Sequence, residues 1–548
     1  MKLHTRSAER DARPGYVIFA VLVVVVVLSL VAYRFADAMS GEYRAGARAG
    51  EDAQAKSAAL SGLHYAAAVL SDRETLSSEL GGNPFDNPDI FERFEITAGG
   101  DGPARKTAYF DIRCVATTAS GTREQRFGVI DEGGKLNINS LIALDPTGEV
   151  LYNALLKIPN MTPEIADAIV DWVDADDTKR ASGAESAEYG SRSNPYKAKN
   201  GPLNSLDELL LVQGITPDLL YGGDRNRNGV YDDGDDSQDG GWADYLTVYG
   251  RELNVASDGQ VRTYLNGDNL TTLQQQLGPQ LGDELTAYVL ASKLFTVTAA
   301  STSTRVTLSG TNATSGATVR LNATVQTGGN TGSTSQRAKR AATLDELQAA
   351  VSTKMANTFT GGNRVKSLLD LVDTSITLPR AADAKDEDPD VVAYSPLSDA
   401  TKRATLLATL MDRTTTKQAV ELVPRINVNT APREVLMAIP GMTDADADAI
   451  ITARASVLPG DPAYQSAAWV ITSAGITPAM FKAYEKYITG STMVYRVQSI
   501  GYFLEGGPVA RMEAVVDTNQ GAPRFLFVRD LTDLDSPRGF DPAKVTKP

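Results

Sequence analysis

The residues Tyr16 to Tyr33 read YVIFAVLVVVVVLSLVAY. This uncharged run is about eighteen residues long, enough for one helical crossing of a hydrocarbon core. At ~1.5 Å per residue it covers roughly 27 Å, leaving little to spare for tilt. Lys2, Arg6, Arg10 and Arg13 precede it, so the N-terminus is expected in the cytoplasm and everything after Arg34 outside it. A secretory signal has a shorter apolar core followed by a small-residue cleavage site. Here the small residue, Gly15, lies before the apolar run, directly after Arg13-Pro14. The competing reading is a plain anchor that is never cut.

From Arg34 to Ser71 the helix is expected to continue as an alanine-rich spine, with Leu60, Leu63, Ala67 and Leu70 on one stripe. Gly41, Gly46, Gly50 and Gly62 argue against a sustained coiled coil. Thr107 to Thr117 and Thr122 to Asp131 flank Ser120-Gly121 and read as a hairpin. Met493 to Phe503, Val509 to Asp517 and Arg524 to Val528 supply matching strands near the C-terminus. The expected fold is α+β: a long helix packed on one antiparallel sheet, interrupted in sequence by a large, mainly helical insertion.

The chain has 548 residues, which implies several modules, and a formal net charge of -15. That charge disfavours nucleic acid or anionic lipid as the main partner. Cys114 is the only cysteine, and His4 and His64 are the only histidines. An intrachain disulfide and a Cys/His zinc site are excluded, and a His-based catalytic triad is disfavoured. Any bound metal should be hard and oxygen-liganded.

The insertion contains a repeat. Leu136-Asn137-Ile138-Asn139 leads to Ile158-Pro159-Asn160-Met161-Thr162, then Ala166, Ala168 and Ile169. Ile426-Asn427-Val428-Asn429 leads to Ile439-Pro440-Gly441-Met442-Thr443, then Ala447, Ala449 and Ile450. A weaker third copy starts at Leu265-Asn266-Gly267-Asp268 and turns at Leu277-Gly278-Pro279. Each reads as a helix-hairpin-helix unit. Val212 to Pro217 echoes Ser473 to Pro478, which suggests a further helix pair in each flanking unit. Thr296 to Gln336 is rich in Ser, Thr, Gly and Asn, either a weak strand pair or an exposed linker.

Two acidic loops could hold calcium. Asp224, Asn226, Asn228, Val230 (by its carbonyl), Asp232 and Asp235 occupy ligand positions one, three, five, seven, nine and twelve of a calcium loop, with Gly229 at the turn. Asp171, Asp174, Asp176, Asp177 and Glu185 crowd a second loop, whose mutual repulsion needs a cation, donors or water. No cleft lined by stacking aromatics accompanies either, so catalysis by paired carboxylates is not expected.

The order Arg13-Pro14-Gly15-Tyr16 ahead of the apolar run resembles type IV prepilins and pseudopilins, whose peptidase would cut between Gly15 and Tyr16. Glu132 to Asn139, Asp171 to Asp177, Gly183-Ala184-Glu185 with Tyr189, Pro195 to Asn200 and Leu206 to Val212 then follow in order. That succession resembles the K-type minor pseudopilins of type II secretion systems, the general secretion pathway protein K family. The likeness runs from the leader to about Tyr249 and again in the closing strands. Residues 250–425 depart from the smaller members.

The resemblance implies a non-enzymatic subunit in the inner membrane, N-terminus cytoplasmic and bulk periplasmic, at the tip of a pseudopilus. Its implied partners are the I- and J-type minor pseudopilins, other pseudopilins, inner-membrane secretion components, the prepilin peptidase, and the secretin or cargo. It also implies calcium in the helical insertion. Position five of the mature chain would be Ala20, where most pilin-like subunits carry glutamate; a subunit with no neighbour above it can dispense with that costly carboxylate.

The expected division is a leader (1–15), a transmembrane and spine helix (16–75), the first part of the sheet (76–134) and a helical insertion with acidic loops (135–250). An extra insertion (251–423) carries the Ser/Thr/Gly-rich stretch 296–340. A second hairpin unit (424–490), the closing strands (491–535) and a tail (536–548) complete it. Two alternatives are a type IV pilus tip subunit and a membrane-anchored, competence-type helix-hairpin-helix protein. The latter would grip phosphate through backbone amides and lysines. Here Asp444, Asp446 and Asp448 follow one hairpin turn, and Glu164 and Asp167 the other. Phosphate would meet carboxylates.

Overall fold

The computed structural model describes residues 14–72, 75–76, 80–81, 83–96, 107–117, 123–224, 227, 240–300, 338–356, 362–381, 383–455, 461, 464–519 and 521–535. One helix, α1 (Pro14–Ser71), runs from the apolar segment into the body without a break. Tyr16 to Tyr33 are exposed along it, and it is the one described helix long and apolar enough to cross a membrane. Its C-terminal half buries Leu63, Ala66, Ala67 and Leu70 against Phe110, Ile112, Val497, Ala514 and Val516 of the sheet.

Leu60 departs from the expected stripe: it is 43% exposed, and Ala55, Ala58 and Ala59 are buried instead. Small residues set this face because helix and sheet approach closely. A Cβ on Gly62 would lie 2.8 Å from Phe110 Cδ2, and one on Gly501 would lie 2.6 Å from the Ala59 amide nitrogen. A glycine that weakens a helix by its propensity here lets the sheet come near.

The sheet comprises β1 (Phe94–Ile96), β2 (Ala108–Thr117), β3 (Arg123–Arg126), β4 (Ile130–Asp131), β5 (Val494–Phe503), β6 (Ala510–Asp517) and β7 (Arg524–Asp530). The order is β1-β2-β5-β6-β7, with β3 beside β2 and β4 beside β5, all antiparallel. The strand-like runs toward the two ends of the chain thus form one sheet. Asp131 faces Tyr495 and Ile130 faces Arg496, so the insertion leaves and re-enters the sheet at one place.

The insertion contains three modules of one design. Parallel strand pairs open and close each: Leu136–Asn137 with Leu246–Thr247, Thr263–Tyr264 with Thr414–Thr415, and Ile426–Asn427 with Ile488–Thr489. Two residues past each opening strand stands an asparagine that holds distant backbone. Asn139 accepts from Leu203 N (2.8 Å) and donates to Leu203 O (2.9 Å). Asn266 makes the same two bonds with Val365, both 2.9 Å. Asn429 donates to Tyr464 O and Gly490 O. At the other end, the hydroxyls of Thr247 and Thr415 each accept from the amide two residues on, at 3.1 Å.

The first and third modules share a helical hairpin turned at a left-handed residue, Asn160 (φ 60°) and Gly441 (φ 85°), then capped by Thr162 and Thr443. The later echo is also structural: Gly214 and Gly475 are left-handed, and Thr216 and Thr477 cap the helices that follow. The middle copy differs from its expected form in two respects. Asn266 corresponds to Asn139 and Asn429, so its register is shifted by two residues from Asn137 and Asn427. Pro279 stays inside the helical segment Leu270–Leu294, and the break falls at Gly282 (φ 75°, ψ 168°), whose conformation residues with a Cβ rarely adopt.

The middle module also carries a four-stranded sheet in the order Lys339–Ala341, Asp390–Tyr394, Thr374–Thr377, Val297–Ala299. It is joined to its neighbours by a two-stranded stem, Glu252–Leu253 against Glu421–Leu422. The leader before Pro14, residues 301–337 of the Ser/Thr-rich stretch and the tail 536–548 lie outside the described residues.

Candidate metal centre

The helix Pro163–Val173 of the first module begins with Thr162 accepting from Ile165 N, and ends at Asp174. It buries Ile169, Val170 and Trp172, and Trp172 packs edge-on against Tyr189 at 5.1 Å. The same turn of helix brings Asp171 inward with them. Glu185 stands immediately before the short helix Ser186–Gly190 and faces the first helix's end. One carboxylate oxygen each from Asp171, Asp174 and Glu185 lie within 4.8 Å of one another, and this group could coordinate a metal ion.

The surroundings fit a cation. Both oxygens of Glu185 and Oδ1 of Asp174 are buried with no hydrogen-bond partner among the described residues. Asp171 receives the Arg180 amide at 3.1 Å, but the Arg180 guanidinium turns to Asp167 and Glu149. Lys179 pairs with Glu188. Among the described residues no basic side chain forms an ion pair with the three carboxylates, and the Arg180 charge only partly offsets burial at Asp171 and Asp174. Burial, and for Glu185 the neighbouring Asp171 and Asp174, pushes Glu185 up to about 8 and Asp171 and Asp174 up to about 6. Gly183 completes the cradle: a Cβ there would lie 2.7 Å from Asp171 Cγ. An all-oxygen donor set of this charge suits a hard divalent ion.

Of the other expected ligands, Asp176 and Asp177 stand on the exposed loop and are not in the group. Asp176 accepts from Thr178 N, and Asp177 from Ser186 N and Asn200 Nδ2. Asn200, within the Pro195 to Asn200 stretch, has its Oδ1 buried without a partner among the described residues. Asp224, at the first position of the expected calcium loop, is buried; Asn226, Asn228, Val230, Asp232 and Asp235 lie outside the described residues. Gly15, Tyr16 and Ala20 all lie on α1. Cys114 is a buried thiol pushed up to about 12 by burial, which makes it a poor nucleophile.

A second charged group ties the modules to the sheet. Glu132 receives Arg496 Nε at 2.7 Å and Lys135 Nζ at 3.1 Å, and Arg496 also reaches Glu513 at 2.9 Å. Burial alone would raise Glu132; Arg496 and Lys135 outweigh it and hold the carboxyl at about 2.

The long helix seated on an antiparallel sheet defines a pilin-like fold enlarged by a modular helical head, and among the described residues this one helix is long and apolar enough to cross a membrane. Two family models, both described as Type II secretion system (T2SS), protein K, match residues 134–221 and 426–469. The chain is homologous to protein K over these segments, which contain the acidic group and the third module's hairpin. A solved chain of the GspK-GspI-GspJ complex from the enterotoxigenic Escherichia coli type 2 secretion system is similar at 11% identity. The match covers 90% of this chain and 98% of that one, with a TM-score of 0.32. No curated protein matches the chain in sequence.

Proposed function

We propose that the chain is a minor pseudopilin that caps the tip of a type II secretion pseudopilus, starts its assembly and supports export of folded proteins across the outer membrane. The observation that carries this reading is the protein K homology of the first and third modules, mounted on a pilin-like helix and sheet. Its role is assembly rather than catalysis. Cleavage between Gly15 and Tyr16 would leave α1 on the mature chain, and Ala20 suits a subunit with no neighbour above it. The proposed partners are the I- and J-type minor pseudopilins, met in the periplasm from an inner-membrane anchor.

Calcium is the cation proposed for Asp171, Asp174 and Glu185, supported by the buried oxygens of Asp174 and Glu185 that have no partner among the described residues. The loop of Asp224, Asn226, Asn228, Val230, Asp232 and Asp235 is proposed as a second site from its ligand spacing. The test of function is a deletion strain complemented with the parent gene or with Gly15→Val. The parent should restore secretion, and membranes should yield a peptide beginning at Tyr16 only when the prepilin peptidase is present. An intact Met1 leader in both backgrounds, with secretion unaffected by the deletion, would overturn the reading.

A further inference from the structure

The junctions between modules differ in how they treat charge. Where the first and third modules meet, Lys135 pairs with Glu132 and Arg425 with Glu252, and only about 20 Å³ is left between them. Between the second and third modules the walls stand apart around a cleft of about 740 Å³. Met411, Leu422 and Phe481 contribute apolar wall.

Arg262 lines this cleft. Its Nε donates to Asp412 O at 2.9 Å, while its two terminal nitrogens make no hydrogen bond and no carboxylate pairs with it among the described residues. Burial, with Arg425 nearby, pulls its pKa below the usual range. Lys366, Lys417 and Lys486 also line the cleft, exposed and outside any ion pair among the described residues. The two acids of the lining are engaged elsewhere: Glu421 with Arg251, and Glu485 with the Ser367 hydroxyl at 2.6 Å. Six basic side chains line the opening against two acidic ones, so a chain of net charge -15 presents an excess of positive charge there. Beside it, Val261 and Val420 are 80% and 81% exposed. The Asn254 backbone links their segments, its N–H donating to Val420 O at 2.9 Å and its carbonyl accepting from Arg262 N at 3.3 Å.

We propose that this cleft receives an extended, acidic segment of a partner protein, with one carboxylate on the free edge of Arg262 and apolar side chains on the cleft wall and the adjoining valines. Charge selects the occupant. The net charge of -15 on each molecule sets a long-range repulsion against a second copy that a short acidic segment does not meet, and a small inorganic anion would leave the apolar wall and the valines unused. A guanidinium with its terminal nitrogens open suits a carboxylate, which it can grip through two parallel bonds.

The test uses the full chain in nanodiscs and a fluorescein-labelled octapeptide alternating Glu with Leu and Phe, read by anisotropy. The peptide should bind, its lysine-for-glutamate counterpart should not, and added salt should weaken binding. Arg262→Met should weaken binding by about 10-fold, the order of one charge-assisted contact, with Arg262→Lys intermediate. Lys366→Glu with Lys486→Glu should weaken it further, and an unchanged thermal melt would show that these variants fold. Equal binding of both peptides, indifference to Arg262→Met in a folded variant, or full displacement by millimolar phosphate would overturn the proposal. Because binding is read directly, its failure leaves the filament role standing, and failure of the filament role leaves the cleft's chemistry standing.

Discussion

Asp131 and Asn427, 296 positions apart in sequence, meet through a 2.7 Å hydrogen bond from Asn427 Nδ2 to Asp131 Oδ2. Asp131 ends strand β4, and Asn427 lies in the opening strand of the third module, so the contact clamps the head to the sheet. The same carboxylate also accepts from Gly133 N and from the hydroxyls of Thr430 and Thr492. Four donors converge on one buried acid.

Replacing Asp131 by Ala should therefore strand the Asn427 amide and two hydroxyls. Each buried group left unpaired costs about 1–3 kcal/mol, so a total loss of roughly 3 kcal/mol or more is expected by denaturant unfolding. A loss below about 1 kcal/mol would show that water replaces the carboxylate there.

Chelation should lower the thermal midpoint of the parent, and added calcium should restore it. A cation at 100 times its Kd contributes about 2.7 kcal/mol to the folded state. By titration calorimetry, Asp171→Asn with Glu185→Gln should lose one binding event and keep any event at the Asp224 loop. Gly183→Ala should weaken the same event, since its Cβ intrudes on Asp171. An unaltered titration in all variants would remove the acidic group from consideration as a cation site.

Glu132 gives a pH dependence with a definite sign. Its folded pKa of about 2 lies below the ordinary 4.5, so its contribution is full above about pH 4.5 and is lost as pH falls through about 2. Asp131, raised by burial, acts oppositely: its share is present at low pH and fades as pH rises through its raised value. Glu132→Gln should be less stable than the parent at neutral pH, with the gap closing between about pH 4.5 and 2. Midpoints measured across that window decide it; a gap that stays constant would mean the ion pair is not the cause.

The stem suggests a fourth test. Removing residues 255–419 and joining the stem with a short Gly/Ser turn should leave the sheet and the other two modules folded, because the stem strands face each other across the excision. Limited proteolysis and the calcium titration should then match the parent outside the middle module. Collapse of the titration would show that the modules fold only together.

Much of the body was legible in sequence because turn residues bound the strand-like runs Thr107 to Thr117, Met493 to Phe503 and Val509 to Asp517, although the two closing strands are buried along nearly their whole length. The repeat was legible wherever glycine, asparagine and threonine mark a left-handed turn and a cap. In the middle copy Gly278-Pro279 drew the turn to the wrong place, since the break falls three residues later, at Gly282. Leu60 was placed on the stripe by its helical spacing, but the buried face passes through Ala55, Ala58, Ala59, Leu63, Ala66, Ala67 and Leu70 and leaves Leu60 43% exposed. The acidic group was legible as composition; its selection of Asp171, Asp174 and Glu185 over Asp176 and Asp177 depends on which side of the helix end each reaches. Gly183 and Asn200 carried no signal of their own, since their roles depend on space and on an unpaired oxygen.

The insertion leaves the sheet after Asp131 and returns at Thr492, and the carboxylate of the one accepts the hydroxyl of the other. A pull applied along α1 enters the protein through the contacts of that helix with β2, β5 and β6. It can pass out through the same strands without crossing the head. Traction on the stalk would consequently be borne by the ladder between neighbouring strands, while the three modules ride beside the line of tension like a pennant on a mast.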